Sequence, residues 1–430
     1  MRTLFILAVA LMSADVFATP TVSQVAAKQR WPWSTKVDID YWLDSDSPAD
    51  VSFTATWDGQ STPFALTGAA LSGCTLSARP GMNHAEWDPV AAGFDAKTPL
   101  KNFVLTPTVV SSDSKLYFVI DLQTGDCSFH ADEPNGESWN QDKYKTTHMV
   151  FRRIPAGVYT LGYSTAQIDR IGALGQITYL KPNFAPVFAE RTVRITSDYY
   201  IGLFQVTGRQ YAEMNGGHSG YTTSTQQELS NWRGSLTNAA AHANWPVDGF
   251  SVASSSRIGA LRARVKGKMP SQMVVDLPTE AQWEVAARAG STTFYSGFGT
   301  LDSTKQEILD YQIAHTTNRS VSVGLMLPNA WGLYDTTGIV YEMTLNRCHA
   351  DLDDSKTETD YPDYKVPGQD VDPVGMTIAA DNDVWAITCN CGWSSRSVTY
   401  AAFPPNRRAY PAKKNAKIGA RLCIHLNPPF

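Results

Sequence analysis

Apolar and polar residues alternate with a two-residue period along the first third of the chain, which predicts strands. Val37-Asp-Ile-Asp-Tyr-Trp-Leu43 switches in its early part, and Val51-Ser-Phe-Thr-Ala-Thr-Trp57 does so throughout, before an Asp58-Gly59 turn. Phe103–Val110 and Leu116–Leu122 are further candidates, and no helical period interrupts them. Short β-branched and aromatic runs divided by Gly, Pro, Asp and Ser clusters predict an all-β sandwich of immunoglobulin or fibronectin type. It is expected over residues 19–143, with the polar stretch Asp126–Lys145 as its linker to a second domain, residues 144–430.

From Thr146 onward helical spacing enters. Thr207 and Gln210 are placed as a capping box, with Tyr211 and Met214 on the buried face and Gly216 as the stop. The device recurs at Thr279 and Gln282, followed by Trp283, Ala286 and Ala287 on one face and Gly290 as the stop. Ile258, Leu261 and Val265 lie at helical spacing between them. Trp283 sits on an apolar stripe, which makes it a core anchor. The remainder is rich in Gly, Pro, Asn and Asp, so regular structure should be sparse and packed loops long.

Composition narrows the class. A chain of 430 residues suggests two or three domains, and a net charge of -5 gives no nucleic-acid footprint. Residues 1–18 have the three parts of a secretory signal: Arg2, the apolar Leu4–Met12, and Val16-Phe17-Ala18 before cleavage. That run is shorter than the roughly 20 residues a membrane span needs, and no later run approaches it. The expectation is export (secreted, periplasmic or cell-surface) without a membrane span. In such a compartment the six cysteines are expected to form disulfides. Cys74 could pair with Cys127, and Cys348, Cys389, Cys391 and Cys423 could form two bridges of open connectivity. No nucleotide-binding glycine loop, Ser-His-Asp order or HExxH motif is present.

A series of motifs then appears in a particular order. These are Ile154-Pro-Ala-Gly157, Tyr200-Ile-Gly202 running to Val206-Thr207, Trp245-Pro-Val247, Leu277-Pro-Thr-Glu280 with Trp283-Glu284, Pro328-Asn329 with Gly332-Leu-Tyr-Asp335, and Gly419-Ala-Arg421. Together they resemble the formylglycine-generating-enzyme, or sulfatase-modifying-factor, family over about Met149 to Ile424. The resemblance implies a C-type-lectin-like α+β fold. In catalytic members it implies two cysteines that bind copper(I), activate dioxygen and oxidise a substrate cysteine to formylglycine. Paired soft thiolates suit Cu(I).

The sequence departs from that pattern where the chemistry lies. The family's copper cysteines follow a Gly-Gly-Ser-(Trp or Tyr) motif, two and seven positions after its aromatic residue. Here the motif reads Asn390-Cys391-Gly392-Trp393, so the cysteine positions hold Ser395 and Tyr400, and Gly392 stands for the motif serine. Cys389 and Cys391 are a weak alternative copper pair, since alternate strand residues share a face; disulfides compete for them. Catalytic relatives also carry Gly-Asn-(Val or Ala)-Trp-Glu, whose Asn and Glu bind calcium. This chain reads Gly338-Ile-Val-Tyr-Glu342, which leaves Glu342 as a weak calcium candidate with a bland reading as a buried acceptor or surface carboxylate. Asp276 replaces the arginine usual before Leu-Pro-Thr, a change expected to alter a salt bridge. No cofactor is therefore expected, with calcium left open and copper disfavoured.

The related iron-dependent sulfoxide synthases add a helical domain supplying metal histidines. Here the first region is β-patterned, and His84 and His130 are isolated. Arg396, Arg407, Arg408, Lys413, Lys414, Lys417 and Arg421 make the C-terminal loops basic, most simply as a solvated face. The sharper expectation is a binding surface for a glycan or protein ligand, formed by Trp393, Arg396, Tyr400, Phe403, Arg407 and Arg408. The alternative is a copper-dependent oxidoreductase that generates formylglycine from a substrate cysteine with unconventional ligands.

Overall fold

The computed structural model describes residues 19–30, 33–95, 100–173, 189–215, 243–247, 250, 255–293, 295–296, 310–311, 321–348, 371–373, 385–389, 408–411 and 418–427. Strand alternation in the first region is realised as burial alternation. Val37, Ile39, Tyr41 and Leu43 point inward from one strand, and Val51, Phe53 and Ala55 from another. The first strand belongs to a four-stranded sheet of spatial order β1 (Thr21–Gln29), β2 (Val37–Asp44), β6 (Gly81–Trp87) and β5 (Leu71–Gly73). The second belongs to a three-stranded sheet of order β4 (Gln60–Leu66), β3 (Asp50–Trp57) and β7 (Val104–Val110). The two sheets share one apolar core, in which Trp87 is fully buried and Phe64, Phe94 and Phe103 contact its ring.

The next strands join a different sheet. Six strands run in the order β14 (Met273–Asp276), β19 (Cys423–Leu426), β13 (Tyr199–Gly202), β10 (His148–Ile154), β8 (Tyr117–Asp121) and β9 (Cys127–His130). Thus β8 and β9, which precede residue 143, pair with β10 of the second region; Phe118 lies opposite Phe151. The composition of β8 explains this. Phe118, Val119 and Ile120 are consecutive and all buried, so the strand needs cover on both faces, which a half-exposed sandwich strand does not provide. The polar stretch expected as a linker contributes β9 and the short helix α1 (Lys143–Thr146).

A two-stranded ribbon of β11 (Gly157–Leu161) and β12 (Arg191–Ile195) follows, together with helix α2 (Thr165–Ala173). Helices α3 (Gly208–Met214), α4 (Ser255–Val265) and α5 (Glu280–Arg288) lie where the apolar spacing predicts them. Both capping boxes form. Gln210 N–H donates to Thr207 Oγ1 at 3.1 Å and Gln282 N–H to Thr279 Oγ1 at 3.2 Å, with the Gln side chains returning the bond. Helix α5 ends as expected near Gly290, with Ala289 in the left-handed region at φ 50° and Gly290 at φ 71°. Gly216 lies outside the described residues. A last sheet has the order β17 (Arg408–Pro411), β16 (Trp385–Cys389), β15 (Tyr341–Cys348) and β18 (Ile418–Ala420).

Buried polar contacts join the two regions. Arg153 on β10 donates to both oxygens of Asp50 on β3, at 3.0 and 2.7 Å, and to Asp198 at 2.7 Å. Lys115 adds a 2.9 Å bond to Asp50. Burial opposes the Asp50 charge, but Arg153 and Lys115 outweigh it and hold the carboxyl below the usual range. Among the described residues no helix is long and apolar enough to cross a membrane.

Candidate functional site

Of the residues that sequence assigns to a site, Glu342 and Cys389 are described, and Cys389 ends β16. Cys389 pairs in register with Glu342 of β15, and Glu342 lies beside Gly419 of β18 on its other flank. The segment from Asn390 to Arg407 lies outside the described residues. With it go Gly392, Ser395, Tyr400, Trp393, Arg396, Phe403, Arg407 and Cys391. Arg408 is placed in β17, opposite Thr388, by its backbone alone. What is described is the floor from which this segment departs.

That floor is built from helix α5 outward. Its capping box starts the helix so that Trp283, Ala286 and Ala287 face inward, as their spacing predicts. Asn329, from the Pro-Asn motif, secures the other end by donating to the carbonyls of Ala286 and Ala287 at 2.8 and 3.0 Å. Trp283 packs with Ala287 and the buried Cys389, and its indole N–H donates to Glu342 Oε2 at 2.6 Å.

Glu342, the candidate calcium ligand, has no exposed surface. Arg421 grips it in a fork, Nε to Oε2 at 3.0 Å and Nη2 to Oε1 at 3.1 Å. Gln205 Nε2 donates to Oε1 at 2.8 Å. The remaining Arg421 N–H groups go to the carbonyls of Gly202, Leu203 and Tyr334 at 2.7–2.9 Å. The carboxylate's partners among the described residues are N–H donors, and its charge is answered by a guanidinium. This donor set does not fit Ca²⁺, which needs about six to eight oxygens. Ile339, at the position of the family's asparagine, is buried with φ 64°, a left-handed conformation unfavourable for a β-branched residue.

Arg421 corrects the sequence reading directly. The expectation of a solvated basic face does not hold for this residue, which is 1% exposed and fully engaged. Its family motif, Gly419-Ala-Arg421, was visible in sequence; its partners were not, because they come from three other segments. Gln205 was missed for the same reason. Asp276 does form the altered salt bridge, with Arg262, and also accepts from Leu277 N–H at 2.8 Å.

Asp335 of the Gly-Leu-Tyr-Asp motif is buried beside this cluster and accepts from Gly324 N–H at 2.7 Å. Burial raises its carboxyl to about 6, against the pull of that N–H and of Arg421.

The disulfide expectation changes for the described cysteines. Cys74 and Cys127 are free and do not pair: Cys74 follows β5, while Cys127 opens β9 in another sheet. The Cys127 thiol donates to the Gly125 carbonyl at 3.4 Å, and burial pushes its pKa up to about 12. Cys423 is likewise a free, buried thiol whose pKa burial raises well above the ordinary value. Such thiols are poor nucleophiles and poor metal ligands. Cys389 packs with Trp283 and Ala287, and Cys391, the other half of the weak copper pair, lies outside the described residues. Among the described residues, no group of three or more His, Cys, Asp and Glu side chains is placed to hold a metal ion.

A strand-rich second region with these motifs and this buried Glu–Arg floor defines a class of scaffold. The model of the sulfatase-modifying factor enzyme 1-like domain matches residues 135–426, and the chain belongs to that family. A solved structure described as the crystal structure of CarF is similar over 63% of this chain and 98% of that one, at 16% identity and a TM-score of 0.34. Likeness at that level carries no argument about function. No curated protein matches the chain.

Proposed function

We propose that the chain is an exported recognition protein, in which an immunoglobulin-type sandwich precedes a catalytically degenerate sulfatase-modifying-factor domain of C-type-lectin-like fold. The observation that carries this reading is chemical. The positions of the family's copper thiolates hold Ser395 and Tyr400. A neutral hydroxyl does not replace soft sulfur for Cu(I), and Gly392 supplies no side chain where the motif serine is expected. The buried setting of Cys389 against Trp283 supports the same conclusion, because a thiol packed on an indole is not poised to make good the loss.

The binding surface on this reading is the loop region from Cys389 to Lys417. Trp393, Tyr400 and Phe403 supply flat faces for stacking, and Arg396, Arg407 and Arg408 supply donors for a sulfated or uronic glycan or an acidic protein surface. Binding survives the loss of chemistry because loops on a packed scaffold can change without disturbing the core.

The test is to titrate the purified chain with Cu(I) and to supply a cysteine peptide with dioxygen. No stoichiometric tight copper and no conversion of the peptide are expected, together with retention on an anionic-glycan array that Arg407→Ala/Arg408→Ala abolishes. Tight copper with oxygen-dependent aldehyde formation would replace recognition by the oxidoreductase reading.

A further inference from the structure

Between the two regions lies a cleft of about 890 Å³, within the range of about 300–1,000 Å³ usual for small-molecule sites. One wall comes from the sandwich, with Val51, Leu66 and Leu71; the other comes from Phe129, Met269 and Met273. The lining is mainly hydrocarbon. Among the described residues, the charged side chains lining it are Lys115, Arg262, Lys266 and Lys268, all cations.

The walls are held in a set relation. Gln272 Oε1 accepts from Thr75 N–H at 3.0 Å and from its hydroxyl at 3.2 Å, and Asn427 Nδ2 donates to the Leu76 carbonyl at 2.9 Å. Leu76 itself packs in the core of the second region with Val265 and Met273. These ties, with the Arg153–Asp50 pair, fix the cleft between its two walls. It is therefore preorganised, which lowers the ordering cost of binding.

The cations differ in what they have left to offer. Lys115 is held by Asp50, Arg262 by Asp276 and Lys268 by Asp126. Lys266 is exposed at the mouth and makes no ion pair with any described residue. A mainly apolar lining with one exposed, unpaired ammonium matches an amphiphile with a single anionic head.

We propose that this inter-domain cleft binds a small anionic amphiphile, its apolar chain between Leu71 and Met269 and its head group at Lys266. A cationic amphiphile of the same chain would set its head against the Lys266 ammonium, and a neutral one would leave the Lys266 contact unused. One charge contact near 4 Å in a watery rim corresponds to about a fivefold preference. The site does not depend on the chemistry of the second domain.

Calorimetry on the full chain tests this, with dodecanoate, dodecanol and dodecyltrimethylammonium as probes. Dodecanoate should bind about fivefold or more tightly than dodecanol, and the cationic amphiphile no better than dodecanol. Lys266→Glu should weaken dodecanoate about fivefold or more and leave dodecanol unchanged. Thr67→Trp, which fills the mouth from an exposed position, should abolish binding of both, with circular dichroism unaltered. Absence of dodecanoate binding, equal binding of all three probes, or insensitivity to both substitutions would overturn the proposal.

Discussion

Replacing Glu342 by Ala tests whether the Glu342–Arg421 pair is the structural floor described above. The substitution removes a carboxylate with no exposed surface and leaves the Arg421 guanidinium, itself 1% exposed, without its counter-charge. It also strands the Trp283 indole donor, which bonds to Glu342 at 2.6 Å, and takes from Gln205 its 2.8 Å carboxylate acceptor, leaving that amide only carbonyls at 3.2–3.4 Å. Summing hydrogen bonds to a charged group at about 1.5–3 kcal/mol each would overshoot, because Arg421 keeps its carbonyl partners. The better measure is the cost of breaking one buried pair, about 3–5 kcal/mol. Glu342→Gln should be nearly as costly, since one end of the amide must point an N–H at another donor. The double substitution Glu342→Met/Arg421→Met should cost far less than the sum of the single ones, because it removes both charges and refills the volume. Urea denaturation of the full chain, followed by tryptophan fluorescence, measures all of these. Single variants within about 1 kcal/mol of the parent would refute the reasoning, as would strict additivity in the cycle. A rise in melting temperature on adding Ca²⁺ that Glu342→Ala abolishes would restore the calcium reading.

Asp335→Asn should change the pH dependence of stability. Burial raises the folded carboxyl from 3.8 to about 6, so its stabilising contribution is complete below the lower value and lost as pH rises through the upper. The variant, neutral throughout, should gain about 3 kcal/mol relative to the parent between pH 3.5 and 7.5. A difference that stays constant across that interval in chemical denaturation would show that the carboxyl is not perturbed. Gly419→Ala should destabilise by about 1–3 kcal/mol. A Cβ there would stand 2.6 Å from Val340 Cγ2 and 2.7 Å from the Val247 carbonyl oxygen, and the latter is backbone that no rotamer change relieves. An unshifted denaturation midpoint would contradict this packing.

Local patterns made much of the fold legible. Alternation announced β2 and β3 because a strand with one buried face must repeat every two residues. The Thr–Gln spacing announced α3 and α5 because both capping bonds close within one turn. Family motifs carried the second region because they are short and contiguous. Strand β8 pairs with β10 and not within the sandwich because its sequence says only that it is apolar, whereas the choice of partner depends on which sheet can cover both faces.

Sequence alone determined that sulfur is missing at positions 395 and 400, since that is a matter of residue identity. Only the tertiary structure decided that Arg421 is an interior cation and Glu342 its partner, and that Cys74 and Cys127 stay apart. The physical reason is distance along the chain: Glu342 and Arg421 are 79 positions apart, and Gln205 and Glu342 137. No local period encodes such pairings. They exist because burying a charge is unfavourable until the fold brings its counter-charge and donors to the same place.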